Sequence, residues 1–208
     1  MVDAFVLFVG LSAVNIVTPG PGVMLTLTNA VRHSWGDAFA GILGVASGTF
    51  LVASLSVIGV GAVLLASSFA FAVMKYAGAA YLIYLGIKMW RAPVRAFVEL
   101  PTTRASLARR FAEGFVLQAS NPNAILFFLA LFPQFIDHSV HGLERGAVLV
   151  ATYAAIVVAI HSVYAFGARR TRVWLSSAGG GRLVNRVSGT AFILSGVALA
   201  ASSPRLPR

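Results

Sequence analysis

The chain contains no cysteine, which excludes disulfides, thiolate nucleophiles and cysteine-ligated metals while leaving the compartment open. Acidic side chains are scarce too: Asp and Glu number 6 in 208 residues, against 16 Lys and Arg, for a net charge of +10. None of these acids lies near the centre of an apolar run. A membrane-embedded enzyme would need a nucleophile and base, or a set of metal ligands, within mutual reach. The apolar runs hold a single histidine and little else for that purpose, so a non-enzyme is expected, without cofactor or metal. Polar stretches of domain length are also missing. Charged residues make up 11% and hydrophobic ones 58%, with a mean hydropathy of +0.85. These values lie far from soluble averages and predict an all-α polytopic membrane protein, a single transmembrane domain over 1–208.

Six apolar runs, about 4–28, 38–66, 69–90, 111–135, 147–167 and 184–201, have the length of a crossing, which takes about 20 helical residues. The first is expected to remain as a span, because no basic residue precedes Arg32 and the run is too long for a cleaved signal. With six crossings, one face receives Arg32, Lys88, Arg91, Arg95, Arg104, Arg109, Arg110, Arg169, Arg170, Arg172, Arg182 and Arg186. The other receives Lys75, Arg145, Arg205 and Arg208, so twelve of the 16 basic residues share a side. The positive-inside rule makes that side cytoplasmic and puts both termini outside. Positive charge in loops is thereby explained by the lipid bilayer, and nucleic acid is not expected as a partner.

Two of the runs are interrupted. Thr18-Pro19-Gly20-Pro21-Gly22 falls inside the first and Asn121-Pro122-Asn123-Ala124 inside the fourth. Proline removes a backbone donor and clashes with the preceding turn, and glycine permits conformations closed to other residues, so a helix breaks there. In lipid such a break is tolerated only where protein or a water-filled cavity satisfies the freed groups. Each break is therefore a candidate binding site. Between them, residues 91–110 are basic, carry Pro93 and Pro101 and have no apolar period, which reads as a cytoplasmic linker between halves at 4–90 and 111–201. Each half holds three spans and opens with a broken one. Three is odd, so the halves insert in opposite orientations: six transmembrane helices as a 3+3 inverted repeat, with broken first and fourth helices. Secondary transporters use this design, with the substrate at mid-depth between the repeats.

The chemistry of the breaks suits a zwitterion. Thr18 before Pro19, and Asn121 before Pro122, each match a helix start, an oxygen-bearing N-cap followed by proline at the first position. The free amides and dipole of such a start favour a carboxylate. Asn15, Gln118 and Ser120, with carbonyls freed by Pro19 and Pro122, are acceptors for an ammonium group, so a small neutral amino acid needs no acid. The substrate-binding set is then Asn15, Thr18, Pro19, Gly20, Pro21, Gln118, Asn121, Pro122 and Asn123. Two proline kinks with locally satisfied side chains are the alternative. His161, the one histidine in a span, either couples transport to protons or bonds a neighbouring helix. Lys75 either snorkels to the interface or serves as a gate or substrate contact. Gly41, Gly44 and Gly48 recur at helical spacing, and Gly44 with Gly48 forms a GxxxG pair that admits a second helix closely. Ser67-Ser68 marks a tight hairpin, and Gly179-Gly180-Gly181 the tip of a loop over 169–186. His138 and His141, with Asp137 and Glu144, have a spacing compatible with a surface metal, or form a solvated loop.

Taken in order, Thr18-Pro19-Gly20-Pro21, Gly78-Ala79-Ala80-Tyr81-Leu82 with Leu85-Gly86, and Asn121-Pro122 followed by Phe127-Phe128 and Phe132-Pro133-Gln134-Phe135 resemble the LysE-type family of bacterial amino-acid exporters. That family includes homoserine, threonine and leucine exporters. The resemblance implies six helices and export of small amino acids from the cytoplasm across the bacterial inner membrane, driven by the proton gradient. Two positions depart from the family pattern. Asn123 stands where a lysine usually follows Asn-Pro, and Thr49 follows Gly48 where many members carry an aspartate, which keeps Thr49 as a coupling or gating candidate. Without an acid in the membrane, a neutral substrate is expected rather than a cationic one. A homo-oligomer stays open, as does a passive channel or an assembly factor.

Overall fold

The computed structural model describes residues 2–18, 20–66, 68–94, 105–136 and 142–201, all helix or short connection, with no strand among them. Helices α1 (Val2–Val17) and α2 (Pro21–Arg32) form the first broken pair, bent by 59°. Helices α3 (Trp35–Ala66) and α4 (Ser68–Arg91) follow and are in contact, while residue 67, part of the expected hairpin, lies outside the described residues. Helices α5 (Leu107–Ala119) and α6 (Pro122–Leu131) form the second broken pair, bent by 57°. Then come α7 (Gly142–Phe166), α8 (Ala168–Ser176) and α9 (Ala178–Ala201). By length and apolarity, α3, α7 and α9 can each cross a membrane, and the number rises to five if each bent pair is one span. The 24-residue α4 is as long as α9 but is not among these helices.

Local chemistry sets several boundaries. Ser34 and Asp37 cap each other at the start of α3: the Asp37 amide donates to Ser34 Oγ at 3.1 Å and the Ser34 amide to Asp37 Oδ2 at 3.3 Å. Ser106 Oγ accepts from the Arg109 amide and starts α5, so Arg109 and Arg110 stand in its first turn. The glycine run 179–181 does not form a loop tip. It builds the first turn of α9, because a Cβ on Gly181 would lie 2.7 Å from the Leu175 carbonyl oxygen and one on Gly180 would strike the Trp174 carbonyl. Only glycine lets α8 and α9 fold back so closely. His138, His141 and Asp137 lie outside the described residues, and Glu144 is in the first turn of α7.

The core is centred on α3, which packs on α2, α5, α6 and α7, while α4 packs on α6 and α9. Helix α7 in turn receives α1 and α2. The expected close approach at the α3 glycines is made by α5, backbone against backbone. A Cβ on Gly44 would collide with the Phe111 carbonyl, and one on Gly114 would lie 2.9 Å from the Val45 amide nitrogen. Within the main core Phe8, Phe128, Phe132 and Tyr153 interlock, with the Phe128 and Tyr153 ring centroids 4.8 Å apart and Phe128 and Phe132 5.2 Å apart. That cluster joins α1, α6 and α7.

Candidate functional site: two broken helices on one turn of α3

At the first break, α1 ends at Val17, and Thr18 spends its hydroxyl on the turn behind it, 2.8 Å from the Val14 carbonyl oxygen and 2.8 Å from Ser188 Oγ of α9. The expected N-cap role of Thr18 is therefore not taken. Gly20 caps α2 with extended backbone and no side-chain bond, and Pro21 opens the helix. Pro19 lies outside the described residues. A glycine cap leaves the first-turn amides of α2 without a side-chain acceptor, and such a helix start attracts negative charge.

Helix α7 lines this break with a single stripe in which Tyr153, Val157, His161 and Ala165 are buried. Asn15 Nδ2 donates to the Tyr153 hydroxyl at 2.6 Å, which leaves Asn15 Oδ1 as an acceptor. The Tyr164 hydroxyl donates to the Val17 carbonyl at 2.6 Å, satisfying a group that the break sets free. His161 Nδ1 lies 2.8 Å from Thr26 Oγ1 on α2, and its Cε1 would be 3.3 Å from a Cβ on Gly22. His161 thus bonds a neighbouring helix, and that helix is the one beginning at the break.

The second break keeps the expected cap. Asn121 is the N-cap of α6, with Oδ1 accepting the Asn123 amide at 3.0 Å, and Pro122 is in the first turn. Ser120 returns its hydroxyl to the Val116 carbonyl at 2.5 Å. Asn123 Oδ1 accepts from the Tyr81 hydroxyl of α4 at 3.3 Å.

The two interruptions reach the same turn of α3. Val45 Cγ1 would lie 3.4 Å from a Cβ on Gly22, the second residue of α2. Three residues on, a Cβ on Gly48 would lie 3.1 Å from Gln118 Cβ and 3.2 Å from the Ala119 amide nitrogen, at the end of α5. Three helical residues rise about 4.5 Å. The start of α2 and the end of α5 are thereby set side by side across α3, and Thr49 follows at once, wholly buried. Lys75 is not part of this meeting. It is buried on α4 with its ammonium 5.2 Å from the Tyr76 ring centroid. Gly78, one turn on, meets Ala130 at the far end of α6 from Asn121. An open apolar groove of about 310 Å³ between α3 and α7, beside Ser47 and Ala154, includes no residue of either break.

At one end of the bundle, buried Arg110 joins α5 to the turn between α2 and α3. Its Nη2 donates to His33 Nε2 at 2.9 Å, its Nη1 pairs with Glu113 at 3.0 Å and its Nε lies 3.5 Å from Asp37. Sequence reasoning passed over this network, and also over Tyr153, Tyr164, Thr26 and Ser188. The eight-residue spacing of Tyr153 and His161 was the available signal, since it places both on one helix face.

The family model described as LysE type translocator matches residues 13–203. The homoserine/homoserine lactone efflux protein of Salmonella typhimurium is 32% identical over 186 residues, covering 89% of this chain and 90% of that protein. An uncharacterized membrane protein of Vibrio cholerae is 29% identical over 184 residues, 88% of this chain and 90% of its own. The leucine efflux protein of Salmonella choleraesuis is 29% identical over 143 residues, 68% of each chain. No solved structure matches significantly.

Proposed function

From the premise that this chain belongs to the LysE type translocators, we propose that it is a secondary transporter exporting small neutral amino acids or their derivatives from the cytoplasm. The observation that carries this reading is the meeting of both broken helices on residues 45–48 of α3. The start of α2, which no side chain caps, receives the carboxylate. Asn15 Oδ1 and Gln118, with the carbonyls freed at the two breaks, supply acceptors for the ammonium group, and Thr18, Pro19, Gly20, Pro21, Asn121, Pro122 and Asn123 shape the two ends. No acid is required, which fits a neutral substrate better than a cationic one.

His161 is the proton-coupling residue in this reading. It bonds Thr26 and abuts Gly22, so a change in its charge would be felt at the first turn of α2. The halves at 4–90 and 111–201 act as a 3+3 inverted repeat of six crossings. The reciprocal packing, α3 holding α5 and α6 while α7 holds α1 and α2, is what two inverted halves would produce. The basic stretch at 91–110, whose last four residues begin α5, then faces the cytoplasm, both termini face outward, the bacterial inner membrane is the site of action, and association into a homo-oligomer is compatible with the arrangement.

The test is efflux from preloaded vesicles across a panel of amino acids, with and without a pH gradient. Export of a small neutral amino acid against its gradient, driven by protons, is expected. Movement only down the gradient would make the protein a passive pore, and no movement of any amino acid would sink the reading.

A further inference from the structure

Several hydroxyls in this bundle are satisfied locally. Ser56, Ser120 and Ser195 donate to the carbonyls of Val52, Val116 and Ala191, four residues back, at 2.5–2.8 Å. Thr49 and Ser12 do not: both are fully buried, and neither hydroxyl has a partner among the described residues. Thr49 is the better placed of the two. It is one turn beyond Val45, which touches Gly22, and positions four apart share a helix face. It also follows Gly48, which packs on Gln118 and Ala119. An unpaired hydroxyl therefore lies on the face of α3 that meets the start of α2, level with the end of α5.

A hydroxyl can both donate and accept, and leaving it dry and unpaired is unfavourable. The carboxylate of a bound amino acid is drawn to the amides of α2 and its ammonium to amide oxygens, which leaves the substrate's side chain for Thr49. We propose that Thr49 is a specificity-determining residue whose hydroxyl pairs with a hydroxyl on the side chain of the exported amino acid. The inference rests on the export reading and narrows its substrate to hydroxyl-bearing members of the neutral class. An aliphatic substrate of equal size would leave Thr49 unpaired, and sites built to bond a substrate hydroxyl discriminate strongly against analogues that lack it.

Threonine and valine, equal in shape and different by one hydroxyl, are the probes. The full-length protein in vesicles is expected to export threonine at least about tenfold better than valine. Thr49→Val should lower that ratio about tenfold, while Thr49→Ser retains it. Valine fits the space of threonine without the unpaired group, so the unfolding temperature of Thr49→Val should hold or rise. An unchanged ratio in Thr49→Val overturns the proposal, as does a lost ratio accompanied by a fall in unfolding temperature, which would mark a structural role. Export of neither probe, nor of any other amino acid, by the unaltered protein overturns the export reading and this one with it, whereas export of valine at the rate of threonine overturns this one alone.

Discussion

Replacing Gly48 by alanine would put a methyl group 2.7 Å from the Phe115 carbonyl oxygen, 3.1 Å from Gln118 Cβ and 3.2 Å from the Ala119 amide nitrogen. The first distance is shorter than folded proteins tolerate, and its far side is helix backbone, so the last turn of α5 must move. Overpacking of this kind costs about 1–3 kcal/mol. Alanine in a helix recovers about 0.5–1 kcal/mol relative to glycine. The net loss expected for Gly48→Ala is about 0–2.5 kcal/mol. Gly59 lies on the same helix with nothing within 4 Å of its missing Cβ. Gly59→Ala should therefore show the gain alone, and the spread between the variants isolates the collision. For a chain of this size that spread corresponds to about 2–12 °C in unfolding temperature, readable by tryptophan fluorescence of the purified protein. Efflux should fall in Gly48→Ala, because the turn that moves carries Gln118 and leads into Asn121, and should persist in Gly59→Ala. Coincident unfolding temperatures and equal efflux would refute the α3–α5 contact on which the site is built.

Tyr153→Phe removes the acceptor of Asn15 Nδ2; a stability loss of about 0.5–2 kcal/mol is expected, with a larger fall in efflux measured in vesicles. Asn121→Ala deletes the cap of α6, worth about 1 kcal/mol, and should abolish efflux while the protein stays inserted and monodisperse in size-exclusion chromatography. Arg110→Ala removes the buried guanidinium that ties Asp37 and Glu113 to α5 and should lower the unfolding temperature clearly. Arg109→Ala, which breaks an exposed pair with the same Glu113, should cost under about 1 kcal/mol in the same thermal assay.

Both breaks were legible in the sequence because proline and glycine act locally: Pro21 and Pro122 open α2 and α6 wherever the rest of the chain goes. The close contact at Gly44 and Gly48 was legible for the same kind of reason, a small residue leaving room for a neighbour. The neighbour was not legible. Nothing in the first half names α5 as the helix that fills the space beside Gly48. Thr18 fits the pattern of an N-cap, yet its hydroxyl goes to Val14 and Ser188, the latter 170 positions away, and the cap passes to Gly20. Tyr153 and Tyr164 lie within a long hydrophobic run that gives no sign of a polar role, and only tertiary packing reveals that their hydroxyls serve Asn15 and Val17. Lys75 carried two readings at the interface or a gate, and burial against α4's own Tyr76 could not be inferred from spacing.

A chain without native cysteine permits the most direct test, because a single introduced thiol has no background. Gly20→Cys and Ser120→Cys place that thiol at the start of α2 and the end of α5 in turn, and alkylation in vesicles is followed as the exported amino acid is added. One shared binding site predicts that the same substrate slows labelling at both positions with the same half-maximal concentration. Protection at one position only, or at concentrations that differ between the two, would contradict it.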